Sequence, residues 1–288
     1  MEEIRPRAVE QSMRTALLRA SFASRSGQTL LEHKYHTAPI KIAKAFPLEG
    51  QLGVIVMDVS PGLLDGDRYE LEWTSRPNSH VMITNQSYMK VHPSMPGGGS
   101  SMLQSFVLEE NAIVEHMPEP IMLYKNARLK NETQVHLKAG AIWMQADVLC
   151  PGRTLRGERF AYRSYSNSLS VYYEKELIFS QRQRIEPAKQ SITAPGCWEE
   201  MTHSAAFYLF SDQIDGALLE QLQEWLDVYS SPIGHPIVAG ASLTHRHGIA
   251  VSAASTAAWP LQQMMKELWA SVRGLLLHKP PLRFLQGS

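Results

Sequence analysis

The chain has 288 residues, 44% of them apolar and 8% aromatic, enough for a large core and without the bias of a disordered or fibrous sequence. Lys plus Arg and Asp plus Glu both number 28, so the formal net charge is zero; this excludes the global basic field of a protein drawn by charge to nucleic acid or to an anionic membrane. The charged share, 19%, is low and suits a surface partly covered by partners.

Met1-Glu-Glu-Ile-Arg-Pro-Arg7 is not followed by an apolar run, so no secretory signal is expected. No stretch approaches the roughly 20 apolar residues of a membrane span, and the expected location is the cytoplasm. Strands separated by turns are predicted up to about residue 180. Val54–Val59 reads as a buried strand, followed by turn signals at Pro61-Gly62 and Asp65-Gly66. Arg68–Trp73 alternates, with Tyr69, Leu71 and Trp73 on the buried face and Arg68, Glu70 and Glu72 on the wet one. Residues 80–84, 102–108, 112–116, 133–138 and 141–149 are further candidates, and 169–179 completes the series. Pro93-Ser-Met-Pro-Gly-Gly-Gly-Ser-Ser101 has three consecutive glycines and is expected to be an exposed, mobile loop.

Two later segments have helical periodicity. Ile214, Leu218, Leu222, Trp225 and Tyr229 form one stripe, with Ser211 or Asp212 as cap and Ser230–Gly234 as stop. Leu261, Met265, Leu268, Val272 and Leu276 form the other, with Ser255 or Thr256 as cap, Pro260 in the first turn and Pro280-Pro281 as stop. The expected fold is mainly β, a single β-rich body with two α-helices in the C-terminal half. One domain is expected over 1–288, with flexible ends at 1–14 and 285–288.

Several chemistries are missing. There is no GxxxxGK[ST] loop, HExxH, GxSxG or kinase signature. The two cysteines, Cys150 and Cys197, form no CxxC. His245-Arg-His247 would place two imidazoles on one side of an extended strand, and imidazole is a good nickel ligand; the plainer reading is two ordinary surface histidines. His33 and His36 would share a face only on a helix. Asp65-Gly-Asp67-Arg68 reads as a turn in which Arg68 pairs with an aspartate. Arg153, Arg156, Glu158 and Arg159 cluster after Cys150-Pro-Gly152, as an anion or partner site or as a salt-bridged loop. Asp147 stands out. A carboxylate among Ile142, Trp143, Met144 and Val148 is costly to bury alone, so it should face an arginine, water or a passing cation.

In order, these segments resemble the UreD/UreH family of urease accessory proteins. The resemblance opens at Leu18-Arg-Ala-Ser-Phe22, with Gly27 and Thr29, and reaches Pro39 and Phe46. Ser60–Arg68 is similar to the family's P-G-G-x-x-x-G-D motif, with Leu63 in place of the second glycine. Residues 83–90 resemble its threonine and T-K stretch, with Met89 in place of threonine. Met117–Ile121, Asp147–Arg153 with Gly157–Phe160, and Leu282–Phe284 complete the set.

The resemblance implies a helix-like winding of strands. It implies a non-enzymatic scaffold that binds the urease apoprotein together with UreF and, through UreF, the GTPase UreG, and an assembly that can be a dimer of such heterocomplexes. It implies no tightly bound cofactor, only nickel in transit along an internal conduit. Asp67, Glu119, Asp147 and Glu158 are then expected to contribute to the conduit or to its polar supports. Arg68, Arg153 and Arg159 would position them, and Thr84 and Lys90 would help. His245 and His247 are weaker metal candidates. The alternatives are an adaptor that joins UreF to urease without a metal path, using a groove near Leu218 and Leu268, or a hydrolase built around His245 or His247.

Overall fold

The computed structural model describes residues 14–48, 50–229 and 231–282. The expected flexible ends lie outside these residues, except Arg14, which opens the first strand; Ser230 and Phe284 also lie outside. The elements in order are β1 (Arg14–Arg25), β2 (Gln28–His36), β3 (Ile40–Leu48), β4 (Gln51–Asp58), β5 (Asp67–Ser75), β6 (His80–Asn85) and β7 (Met89–Val91). Next come β8 (Ser100–Leu108), β9 (Ile113–His116), β10 (Ile121–Leu123), β11 (Arg128–Leu137), β12 (Ile142–Cys150), β13 (Ser164–Tyr173) and β14 (Glu176–Ile185). The last are β15 (His203–Phe210), α1 (Gly216–Val228), β16 (Ile237–Leu243), β17 (Gly248–Ser255) and α2 (Ala258–Leu276).

From β4 to β13 the chain winds between two sheets, and successive strands in each sheet are parallel neighbours. One sheet has the order β14-β13-β11-β8-β5-β1-β2, the other β16-β17-β15-β12-β9-β6-β4-β3, with β10 and β7 attached beside β12. The steps β5 to β8 to β11 to β13 and β4 to β6 to β9 to β12 are parallel, so each turn lays one strand in each sheet, as in a solenoid. Antiparallel strands close the ends.

Register turns this winding into ladders of side chains on the inner face. Ala20, Trp73, Phe106, Val135 and Val171 stand side by side across five strands. Phe22, Trp73 and Phe106 stack at 6.3 and 6.4 Å between ring centres. Two residues earlier the ladder is Leu18, Leu71, Gln104, Thr133, Leu169 and Gln181; two earlier again it is Ala16, Tyr69, Met102, Asn131, Asn167 and Gln183. The interior is therefore apolar at one level and increasingly polar at the next two.

The alternation of Tyr69, Leu71 and Trp73 is as read, and all three are buried. Residues 169–179, read as one strand, instead span a hairpin. Glu174 and Lys175 turn the chain with φ of 47° and 74° between β13 and β14. Strands β15–β17 follow residue 180, where only helices stood out in the sequence. Helix α1 is capped by Asp215, whose carboxylate accepts from Leu218 N at 2.9 Å, and not by Ser211 or Asp212; Asp212 instead accepts from Gly140 N and Tyr173 Oη. Helix α2 starts after Ala257 with no side-chain cap. Its anchor is electrostatic: Glu115 on β9 accepts from Trp269 Nε1 at 2.6 Å, from Gln51 Nε2 at 3.2 Å and from Arg273, and contacts His80 Nε2 at 2.5 Å.

The glycine run is less free than its composition suggests. Ser94 and Ser100 are buried, and Met95 N donates to Asp65 Oδ2 at 3.1 Å. A Cβ on Gly98 would lie 2.3 Å from Asp65 Oδ1, so glycine here permits close approach.

Candidate functional site

A cavity of about 130 Å³ lies between the sheets at the polar level, lined by Asp58, Tyr69, Thr84, Lys90, Gln104, His116, Glu119, Asn131 and Asp147 among others. That is room for about four waters. A second, more open cavity of about 830 Å³ is lined by Asn167, Gln181, Gln183, Cys197, Glu199, Glu200 and residues of β15, β16 and β17. Ile121, Asp147 and Val148 are walls of both. The polar ladders run from the first cavity to the second. Asn131 Nδ2 donates to Asn167 Oδ1 at 2.8 Å, while Asn131 Oδ1 and Thr133 Oγ1 are buried without a partner among the described residues. Orphaned polar atoms of this kind call for water or an ion.

Asp147 is held by its neighbour on the same face. Gln145 Nε2 donates to both carboxylate oxygens, at 2.9 and 2.8 Å, and Gln145 Oε1 lies 2.7 Å from His116 Nδ1. Burial pushes the Asp147 carboxyl up to about 6, against the downward pull of the Gln145 amide. Its partner is thus a neutral amide, not the arginine allowed for in the sequence. Glu119 is also raised, by burial first, with Lys266 and Gln262 opposing. Gln262 of α2 bridges Glu119 and Tyr88, at 3.1 and 2.5 Å.

Of the four acids singled out in the sequence, Glu119 and Asp147 line the first cavity, and Thr84 and Lys90 join them. Thr84 Oγ1 donates to Met117 O at 2.7 Å, which fixes the loop carrying Glu119. Asp67 and Glu158 are elsewhere. Asp67 accepts from Leu64 N at 2.8 Å and closes the turn. Glu158 is gripped by Arg153, which stacks 4.1 Å over Tyr124, and hydrogen bonding to Arg153 holds its carboxyl below the usual range. Arg153 and Glu158 thus form a pair that lines neither of the two cavities. Arg68 pairs with Glu70 at 2.6 Å and not with an aspartate. Among the described residues Arg159 hydrogen-bonds Glu200 O, at 3.4 Å.

His245 and His247 lie in the turn between β16 and β17, not on a strand; His247 has φ of 53° and packs on Tyr173 at 4.7 Å. His33 and His36 are on strand β2, where an odd spacing sends them to opposite faces. Among the described residues no three His, Cys, Asp or Glu side chains converge to hold a metal ion. No described helix is long and apolar enough to cross a membrane.

A family model described as UreD urease accessory protein matches residues 14–285. The chain belongs to the UreD family of urease accessory proteins. It is 30% identical to the urease accessory protein UreD of Acetivibrio thermocellus over 83% of this chain and 90% of that one. It is 29% identical to the urease accessory protein UreH of Helicobacter hepaticus over 68% and 77%, and 27% identical to a UreD of Staphylococcus aureus over 70% and 72%. A role in urease maturation follows from this membership, and the relatives are named as accessory proteins rather than as enzymes.

The sequence did not point to Asp58, Tyr69, Gln104, His116 or Asn131 as site residues of this UreD-family chain. Each sits on an inner face or strand end beside ordinary core positions. The available signal was the polar residue in a buried strand register, visible at Gln104 once Met102 and Phe106 are placed inside.

Proposed function

We propose that this chain is a non-enzymatic scaffold in urease maturation, that it works with UreF and UreG on the urease apoprotein, and that nickel in transit crosses it through the two cavities. The observation that carries the reading is Asp147, a half-buried carboxyl that forms a wall of both cavities. A carboxyl near pKa 6 releases its proton when a cation arrives and regains it when the cation leaves. Binding stays weak enough for passage, as conduction requires. The amides and hydroxyls of the ladders supply further neutral oxygen donors.

The test is co-expression of apo-urease, UreF and UreG with the wild-type chain or with Asp147→Asn. The variant keeps the size of the side chain. Nickel per urease active site should fall at least severalfold while the accessory complex still co-purifies. Full loading with Asp147→Asn would refute the path through Asp147.

An adaptor without a metal path is favoured by one observation: Ile233, Val238 and Leu243, on or beside edge strand β16, are exposed apolar side chains. Leu218 and Leu268 themselves are buried, so a groove on these helices would be formed by other side chains. An adaptor would load nickel normally after any interior substitution that spares the fold.

A further inference from the structure

His116 ends β9 with its ring in the first cavity, across from Gln145 in register. The orientation of Gln145 is decided by Asp147. Both carboxylate oxygens lie within 2.9 Å of one end of the Gln145 amide, and a carbonyl there would oppose two oxygens. The NH2 group must therefore face Asp147, and the carbonyl must face His116 Nδ1 at 2.7 Å. An acceptor at that distance places the imidazole proton on Nδ1. Nε2 is left with its lone pair and has no hydrogen-bond partner among the described residues.

We infer that His116 Nε2 is a nitrogen ligand for a first-row divalent metal ion in the first cavity, with its tautomer set by Gln145 and Asp147. In this tautomer the Nε2 lone pair is free and the ring adds no positive charge. Metal-bound histidines characteristically donate their other ring N–H to a fixed acceptor, which is the arrangement found here. His116 is the one imidazole lining the cavity; the acids there, Asp58, Glu119 and Asp147, offer only oxygen. Imidazole suits nickel, zinc and copper, whereas carboxylates and water suit magnesium and calcium. His116 thus lets an otherwise oxygen-lined chamber prefer a first-row metal over magnesium. The passage of nickel rests on the conduit reading above; binding at Nε2 does not.

The test uses the full chain with 15N-labelled histidine and long-range proton–nitrogen correlation spectra, with His116→Asn to assign the ring. Asparagine can keep a donor near the Nδ1 position but has nothing at Nε2. The expected spectrum has the proton on Nδ1. Substoichiometric nickel sulfate should broaden the His116 ring signals, zinc should shift Nε2, and magnesium should do neither. His116→Asn should weaken nickel binding, measured by competition with a chromophoric chelator, by about tenfold. A proton on Nε2, or a His116 ring silent to nickel while surface histidines respond, would overturn the inference. A responding His116 with normal urease loading by Asp147→Asn would leave the ligand standing and the conduit refuted. A silent His116 with impaired loading by Asp147→Asn would do the reverse.

Discussion

Burial pushes the His203 imidazole down to about 4, opposed by its hydrogen bond near Thr256, although Thr202 Oγ1 lies 2.8 Å from Nδ1. An unfolded histidine titrates near 6.5. The folded value is the lower one, so the contribution of His203 to stability is intact above pH 6.5 and is lost as pH falls from there towards 4. Between pH 7.5 and 5 the loss is about 2 kcal/mol. Urea unfolding at those two pH values should show it, and His203→Asn should shrink the drop by about that amount. Equal drops in the two proteins would contradict this account. At the residue scale the sequence was informative where chemistry and pattern conflict. Asp147 was conspicuous because it interrupts an apolar strand. His116 and Gln104 were not, because a single polar residue at a strand end or amid a strand looks the same whether it faces water, a cavity or a neighbour. Asp67 and Glu158 belong to the motifs that carry the family resemblance, and the structure places one in closing a turn and the other in holding a loop through Arg153, away from both cavities.

At the element scale, helix α2 depends on one buried cluster. Glu115 and Arg273 are almost fully buried. Burial pushes the Glu115 carboxyl up, but the His80 contact and the Arg273 charge more than reverse this, and the net shift is downward. Arg273 also donates to Gln51 Oε1 and Pro280 O, both at 3.0 Å. Arg273→Met leaves Glu115 buried without its charge partner and should cost about 3–5 kcal/mol. The urea midpoint should fall accordingly. A double variant, Glu115→Leu with Arg273→Met, should recover much of the loss. Both helices were legible from their apolar stripes, since Leu222, Leu261, Leu268 and Val272 are fully buried. Their starts were not: several polar residues precede each helix, yet Asp215 alone caps α1 and no side chain caps α2. The β13–β14 hairpin was hidden for a related reason: Glu174 and Lys175 turn the chain without the glycine or asparagine that usually marks such a turn.

For the whole molecule, the polar ladders link the two cavities only because the winding sets parallel strands in register. Asn131→Leu should separate transport from folding. It removes the unpartnered Oδ1, gives up the Nδ2 bond to the half-buried Asn167, and adds apolar volume at a buried position. Stability should stay within about 1 kcal/mol or rise slightly, while urease nickel loading falls severalfold. A loss of loading that merely followed a lower melting temperature would point to misfolding instead.

The amino-acid order was sufficient for the β-rich class, the two late helices, the exclusion of common catalytic motifs and, through its ordered motifs, the family. These depend on local periodicity and on residue types that survive without knowledge of neighbours. The pairing of strands was decided by tertiary structure. It determined that Gln104, Asn131 and Asn167 line one path, that Asp147 forms a wall of two cavities, and that Asp67 and Glu158 lie off it. Such contacts join residues tens of positions apart. Their energy lies in register and burial between strands, and neither is encoded in any single segment.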